Sequence, residues 1–383
     1  MRRARWISRT LAAFAASVAL AGGAHAQAGF TTEATHAIIM DGATGITLFC
    51  QRCREPMPPA SMSKLMTILL VAEAIEAGRI NENTRFHVSE RAWRQGAMSD
   101  GSHMFLELNS EARVGDLLRG VSIVSANDAC IVLAEGLAGS EEQFVDQMNR
   151  RAAQLGLTTA RFRNATGLPD PDHVISAYDL ARLSRMIITR FPAIYRFDAE
   201  RSFTYNNHTQ ENRNPLLGLF AGADGVKTGH TAASGYGMVG AALLNGQRRI
   251  IVFNGMPSMA ARRSEAERMM RAAFYDFRIY PMFAAGATVG EAEVWLGGRK
   301  TVPLMTRNAV AIGVPNAARG GLKTAIVYRG PIRAPVAQGQ EVAKLVVEGP
   351  AFPRREFPLY AGRRVGRANW FARAWAGLGS IGN

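Results

Sequence analysis

The chain has 383 residues, 48% of them hydrophobic and 20% charged. That is enough apolar mass for more than one buried core and excludes wholesale disorder. Beyond the N-terminus no apolar run is long enough to cross a bilayer, which excludes a polytopic membrane protein. The net charge of +14 fits an anionic partner, whether a nucleic acid, a membrane surface or an acidic polymer.

Residues 1–26 have the pattern of a secretory signal. Arg2, Arg3, Arg5 and Arg9 precede an apolar run from 11 to 21, and Ala24-His25-Ala26 closes it with small residues. The alternative is an uncleaved signal anchor. No cysteine follows the cleavage site, which speaks against a lipoprotein, and Arg2-Arg3 lacks the rest of a twin-arginine context. Export changes how the three cysteines are read. Cys50 and Cys53 form a C-x-x-C whose expected state is a local oxidised pair or two inert thiols, and Cys130 is expected as a small buried apolar residue. No second cysteine pair exists, and no H-E-x-x-H or H-x-H spacing occurs among the histidines, so no metal and no cofactor are expected.

Residues 35–40 and 46–51 are strand-like around Asp41-Gly42-Ala43-Thr44-Gly45, a hairpin signal. From 61 to 78 the chain is helical and apolar nearly all round, as in a helix buried inside a domain. Further helices are predicted over 114–119, 126–136, 141–155 and 177–189. Residues 237–244 and 249–254 read as an antiparallel hairpin, followed by an amphipathic helix over 259–277. From 283 to 352 short apolar runs are broken by Gly and Pro, which predicts a small all-β module. The domain assignment is a signal over 1–26, a main α+β domain over 27–282, a β-rich domain over 283–352 and a basic amphipathic tail over 353–383.

Only five of the 45 basic residues are lysines, so each lysine invites a question, because lysine can lose its proton in a protein and arginine cannot. Lys64 closes Ser61-Met62-Ser63-Lys64 at the start of the buried helix. Positions i and i+3 share a helical face, so the Ser61 hydroxyl and the Lys64 amine can meet. A serine needs a base before it attacks a carbonyl, and an amine serves when burial or nearby positive charge favours its neutral form. Alone, the motif also fits a helix start with a snorkelling lysine. Ser125-Ala126-Asn127 supplies a hydroxyl able to relay a proton and an amide able to hold a carbonyl or the lysine; by itself it is an ordinary helix N-cap. Lys227-Thr228-Gly229-His230 puts a cation and a hydroxyl on a strand beside a glycine that permits close approach, and its bland reading is an exposed strand end. The N–H of His230 could face that of Ser61 across an oxyanion.

The order S-x-x-K, S-x-N, K-T-G resembles that of penicillin-binding proteins and serine β-lactamases. The surrounding wording is similar to that of the low-molecular-mass D-alanyl-D-alanine carboxypeptidases: Pro59-Ala60-Ser61-Met62-Ser63-Lys64-Leu65, Gly101-Ser102-His103-Met104, Ser125-Ala126-Asn127-Asp128, Gly167-Leu168-Pro169, Gln210-Glu211-Asn212-Arg213-Asn214 and Asp224-Gly225-Val226-Lys227-Thr228-Gly229-His230-Thr231. The chain departs from the family at Ser63, where Thr is usual, at Ala126, where Gly is common, and in the Cys50/Cys53 pair. The resemblance implies an α+β fold, with a β-lactamase/transpeptidase-like catalytic domain (an antiparallel sheet flanked by helices plus a helical lobe) followed by a small all-β domain. It implies Ser61 as nucleophile, Lys64 as base, Ser125 and Asn127 in proton transfer and positioning, and Lys227 and Thr228, with Gly229, His230 and Arg213, in substrate binding. The implied partners are peptidoglycan stem peptides and β-lactam inhibitors, with no nucleic acid. The implied place is the periplasm, on the outer face of the inner membrane. The readings kept beside this one are a D,D-endopeptidase of the same family and a non-catalytic cell-wall binding protein. A β-lactamase is disfavoured, because no glutamate is clearly placed to activate a deacylating water.

Two further features need weighing. Gly235-Tyr236-Gly237-Met238-Val239-Gly240 matches G-x-G-x-x-G, but it runs into a hairpin instead of a helix and lacks the downstream acid of a dinucleotide site. At the C-terminus, Arg363, Arg364 and Arg367 precede Ala368, Phe371, Ala372, Trp375, Leu378 and Ile381, which fall on one helical arc. Residues 363–383 are therefore expected to lie in an anionic membrane interface, although Gly377, Gly379 and Gly382 weaken such a helix.

Overall fold

The structure, a computed structural model, describes residues 3–6, 30–97, 101–316, 321–349 and 352–369. Two compact units divide the chain, one spanning Thr31–Asp276 and the other beginning at Phe277.

The first unit is built on a five-stranded sheet ordered Ala223–Thr231, Gly235–Leu244, Gln247–Met256, His36–Asp41, Thr47–Gln51, antiparallel throughout. The runs Ile38–Met40 and Ile250–Phe253 are buried, as expected of strands covered on both faces. Helices Ala177–Arg190 and Met259–Tyr275 pack on the strand Gln247–Met256. The helical lobe centres on Lys64–Glu76, which buries ten of its residues and packs against Asn127–Ala138 and Ala177–Arg190. A helix apolar all round has no solvent face, and this one lies in the middle of the apolar cluster. The predicted helices and hairpins are found within a few residues of their expected limits. The helix Glu90–Ala97 was not anticipated, since it is short and mostly charged.

Sheet order leaves Ala223–Thr231 as an edge strand, with its far side unpaired by any other strand of that sheet. The G-x-G-x-x-G run lies in its neighbour Gly235–Leu244, and its glycines serve packing: a Cβ on Gly237 would stand 2.4 Å from Asn254 Oδ1 and 2.8 Å from Met62 Cε. Cys50 and Cys53 form a disulfide at the end of the strand Thr47–Gln51. Cys130 is free and buried, and burial pushes its thiol up to about 12.

The second unit is all β, with its own apolar cluster. Its start is Phe277, earlier than the expected 283, because Phe277–Phe283 pairs with Val310–Pro315 inside that unit. The expected tail also begins later than 353. Phe352–Ala361 is a strand paired with Glu341–Gly349 and with Thr301–Met305, and Leu359 and Ala361 alternate inward while Glu356 faces solvent. Its arginines and prolines hid that alternation. The membrane-interface helix falls largely outside the described residues, as does the signal apart from Arg3–Trp6, which pairs with Lys323–Tyr328.

Candidate active site

The first motif is presented by a 3-10 turn, Ala60–Ser63, running into the helix Lys64–Glu76. In a 3-10 turn residues i and i+3 eclipse, so Ser61 and Lys64 meet more closely than on an α-helical face. Ala60 enters the turn at a left-handed φ of +48°, a conformation costly for a residue with a Cβ. Two glycines make room for it: a Cβ on Gly167 would lie 2.1 Å from the Ala60 carbonyl oxygen, and one on Gly229 would lie 2.8 Å from that of Pro59.

Lys64 is fully buried, yet its amine is completely partnered. Nζ donates to Ser61 Oγ over 2.7 Å, to Asn127 Oδ1 over 2.8 Å and to the Thr166 carbonyl. Burial, reinforced by the positive charge of Arg213, lowers its pKa from the usual lysine range to about 8. A neutral amine keeps two N–H groups for Asn127 and Thr166 and turns its lone pair to the Ser61 hydroxyl. The three partners therefore suit proton abstraction from Ser61 in particular.

The second motif follows a π-turn, Gly120–Val124, after which Ser125 takes a left-handed φ of +64°. Asn127 opens the next helix without capping it, and its side chain is committed to Lys64 instead. Its N–H donates to the Ser102 carbonyl over 2.7 Å, which ties the helix to the loop at 101–106. Asp128 strengthens that tie by accepting from the N–H groups of Met104 and Leu106.

The third motif lies on the edge strand. Lys227 is only 2% exposed, and its Nζ donates to the Thr228 carbonyl over 3.0 Å. Burial first, then Lys64 and Arg213, push its pKa well below the usual value. Thr228, Gly229 and His230 line a cleft of about 780 Å³ together with Ser61, Ser125, Asn127 and Arg213. The His230 ring stacks on Tyr236 at 3.8 Å. The structure thus gathers every sequence-designated residue around one cleft, with Lys64 and Lys227 buried in its walls.

Several contributors were not given roles from the sequence. Thr166 offers its carbonyl to Lys64 from a loop tied by Asn164, whose Oδ1 accepts from the N–H groups of Thr166, Gly167 and Leu168. Asn followed closely by Gly is the signal of such a turn. His173 closes this loop: it accepts from Arg163 N and is so buried that its pKa falls to about 4. Arg262 and Arg263 also line the cleft, and their pattern in the sequence is only that of a charged helix.

Comparison with known proteins agrees with this geometry. The family profile of D-alanyl-D-alanine carboxypeptidases matches residues 23–257, and that of the C-terminal domain of penicillin-binding protein 5 matches 277–370. The D-alanyl-D-alanine carboxypeptidase DacF of Bacillus subtilis is 33% identical, over 88% of this chain and 87% of its own length. The structure of penicillin-binding protein 5 from Haemophilus influenzae superposes with a TM-score of 0.70 at 32% identity, covering 88% of this chain and all of that one. Penicillin-binding protein D2 of Listeria monocytogenes, solved in a cefotaxime-bound form, superposes with a TM-score of 0.59 at 29% identity, over 65% of this chain and all of the other. A buried, partnered S-x-x-K lysine, matches over most of the chain and the attached β unit lead to one conclusion: this chain belongs to the D-alanyl-D-alanine carboxypeptidase family and is a serine-type hydrolase.

Proposed function

We propose that the chain removes the terminal D-alanine of peptidoglycan stem peptides through an acyl-enzyme on Ser61. The observation that carries the reading is the Lys64 amine, buried, bonded to Ser61 Oγ and lowered to about 8. Lys64 takes the hydroxyl proton as Ser61 attacks the carbonyl of the penultimate D-alanine. The N–H groups of Ser61 and His230 flank the oxyanion. Ser125 passes the proton towards the departing amine, and Asn127 holds Lys64 in place while facing the substrate. Thr228 and Arg213 receive the terminal carboxylate over the buried charge of Lys227, with Gly229 leaving space for the peptide. Water then hydrolyses the ester. A β-lactam is an acyl donor of similar shape whose leaving group stays attached, so it acylates Ser61 and blocks the enzyme.

The signal pattern supports export to the periplasm, and the basic aromatic run at 363–383 supports peripheral attachment to the outer face of the inner membrane. Deleting 370–383, which spares Val365 in the core of the β unit, should release the mature enzyme from inner-membrane vesicles; equal vesicle binding by both forms would rule attachment out. The catalytic reading is tested by two measurements on the purified enzyme. A fluorescent penicillin should label wild type and leave Ser61→Ala unlabelled, which a non-catalytic wall-binding protein would not do. D-Alanine release from a pentapeptide should exceed cleavage of a cross-linked dimer; the reverse order would make the enzyme a D,D-endopeptidase.

A further inference from the structure

Asp198 is a buried acid that the reaction described above does not use. It lies in the 3-10 turn Arg196–Ala199 and is 3% exposed. A carboxyl at that depth is costly unless something there makes use of its charge. Its turn packs on the edge strand Ala223–Thr231, the π-turn Gly120–Val124 and the helices Val114–Arg119 and Pro192–Tyr195. The strand brings Asp224, Lys227 and His230, the π-turn Ser122, the first helix Asp116 and Arg119, and the second Tyr195. Most of these groups are committed elsewhere. Arg119 pairs with Glu200, lies 4.0 Å from Asp116 and covers the Phe197 ring. Asp224 accepts from Tyr195 Oη over 2.7 Å and pairs with Arg248. His230 stacks on Tyr236, and Arg196, in the turn itself, pairs with Glu82. Lys227 is the remaining cation, and its Nζ bonds the carbonyl of Thr228. Burial, Lys64 and Arg213 all work to strip its proton, while Cys130 and Asp198 work to keep it. The Cys130 thiol, pushed up to about 12, is uncharged at neutral pH, which leaves Asp198. Burial pushes that acid up to about 7, while Lys227 and the Ser122 hydroxyl favour its ionised form; the hydroxyl stands near it without a formed hydrogen bond. The turn is also tied to the segment that carries Arg213: Asn212 Nδ2 donates to the carbonyls of Asp198 and Glu200 over 3.2 and 2.8 Å.

We propose that Asp198 is a positioning residue of the recognition wall, whose carboxylate is the counter-charge behind the edge strand that keeps Lys227 a cation. The proposal rests on the active site proposed above and adds a group that does not line the cleft and acts through Lys227. A buried lysine with only positive charges around it sheds its proton. The neutral amine then gives the strand no positive field and no charge-assisted bond for an anionic substrate.

The test is the pH profile of kcat/KM on diacetylated Lys-D-Ala-D-Ala, a peptide with no group of its own titrating above neutral pH. Lys227 serves while protonated, so the profile should descend as pH rises through its pKa. Removing the acid lowers that pKa and moves the descending limb to lower pH. For Asp198→Asn the expected shift is about one pH unit, with kcat/KM on the alkaline side down about tenfold. Asp198→Glu, which restores the charge, should bring the limb back towards wild type. In a Lys227→Arg background there is no proton to lose, so adding Asp198→Asn should not move the profile. A descending limb that stays in place in Asp198→Asn, or the same shift in the Lys227→Arg background, would overturn the proposal. Labelling by saturating fluorescent penicillin shows that Asp198→Asn folds. If it does not label, Ser122→Ala decides: losing the hydroxyl that favours the ionised acid should move the limb the same way by a smaller amount, and an unmoved limb overturns the proposal. Failure of the wild type to label at Ser61 would instead overturn the active-site reading, which an unmoved limb in a labelled enzyme leaves standing.

Discussion

The two walls of the cleft hold buried cations in opposite conditions. On the nucleophile wall, the Lys64 amine has three acceptors, from a serine, an asparagine and a loop carbonyl. On the recognition wall, Lys227 has the carbonyl of its own neighbour Thr228, and Arg262 has an aromatic face. The first wall is complete before substrate arrives, and the second is left short of negative charge. The difference follows from what each must do. Proton transfer needs fixed geometry in advance. Recognition of an anion gains most where the unbound cation is poorly solvated and the bound one is paired.

Breaking the complete wall should have the largest effects. Ser61→Ala removes one hydroxyl and should abolish penicillin labelling while the thermal transition stays in place; persistent labelling would refute the nucleophile. Lys64→Arg should reduce acylation by about 10²- to 10⁴-fold, because a guanidinium cannot accept the proton. A variant retaining most of the rate by stopped-flow labelling would exclude Lys64 as base. Damage to the incomplete wall should be milder and substrate-dependent. Lys227→Ala should cost about 10- to 150-fold in kcat/KM on a free D-Ala-D-Ala terminus, and far less on the terminal amide.

The pH dependence sharpens the comparison, since it links the walls. Lys64 acts unprotonated, so the acylation rate constant should climb about tenfold per pH unit below its pKa and level off above about 8. Arg213, on the recognition wall, helps to hold that pKa down. Arg213→Gln should therefore move the midpoint upward, and a rate profile that stays in place would show the walls to be electrically independent. The smallest effect belongs to the chain end: deleting 370–383, beyond the part that pairs with the β unit, should change hydrolysis of a soluble pentapeptide by less than about twofold, since turnover in solution needs no membrane contact.

Much of this was legible in the residues. The apolar circumference of residues 64–76 announced a buried helix, and a lysine inside it could hardly be structural decoration. What stayed hidden depends on long-range geometry. The Thr166 carbonyl is a backbone group, and only the folded loop, 102 residues from Lys64, gives it a role. The tight turn at Ala60–Ser63 is accommodated by Gly167 and Gly229, which bring Cβ-free backbone against it from two other segments. Arg262 looked like one of forty arginines; its meaning comes from burial without an acid nearby. The strand Phe352–Ala361 was masked by two arginines and two prolines, which alter composition without disturbing the inward alternation of Leu359 and Ala361.

The edge strand Ala223–Thr231 has a consequence for the enzyme in a crowded compartment. An unpaired strand edge is a template for any extended chain, including another copy of the same protein. Residues 228–231 line the cleft, the place of the substrate in the proposed function, so this stretch of the edge stays open. Arg213, Arg262 and Arg263 stand around that edge, and a second copy approaching edge to edge would bring three more guanidinia against them. The charges that admit an anionic peptide thus also keep two enzymes from zipping together, so neutralising them should leave concentrated protein prone to self-association as well as slow.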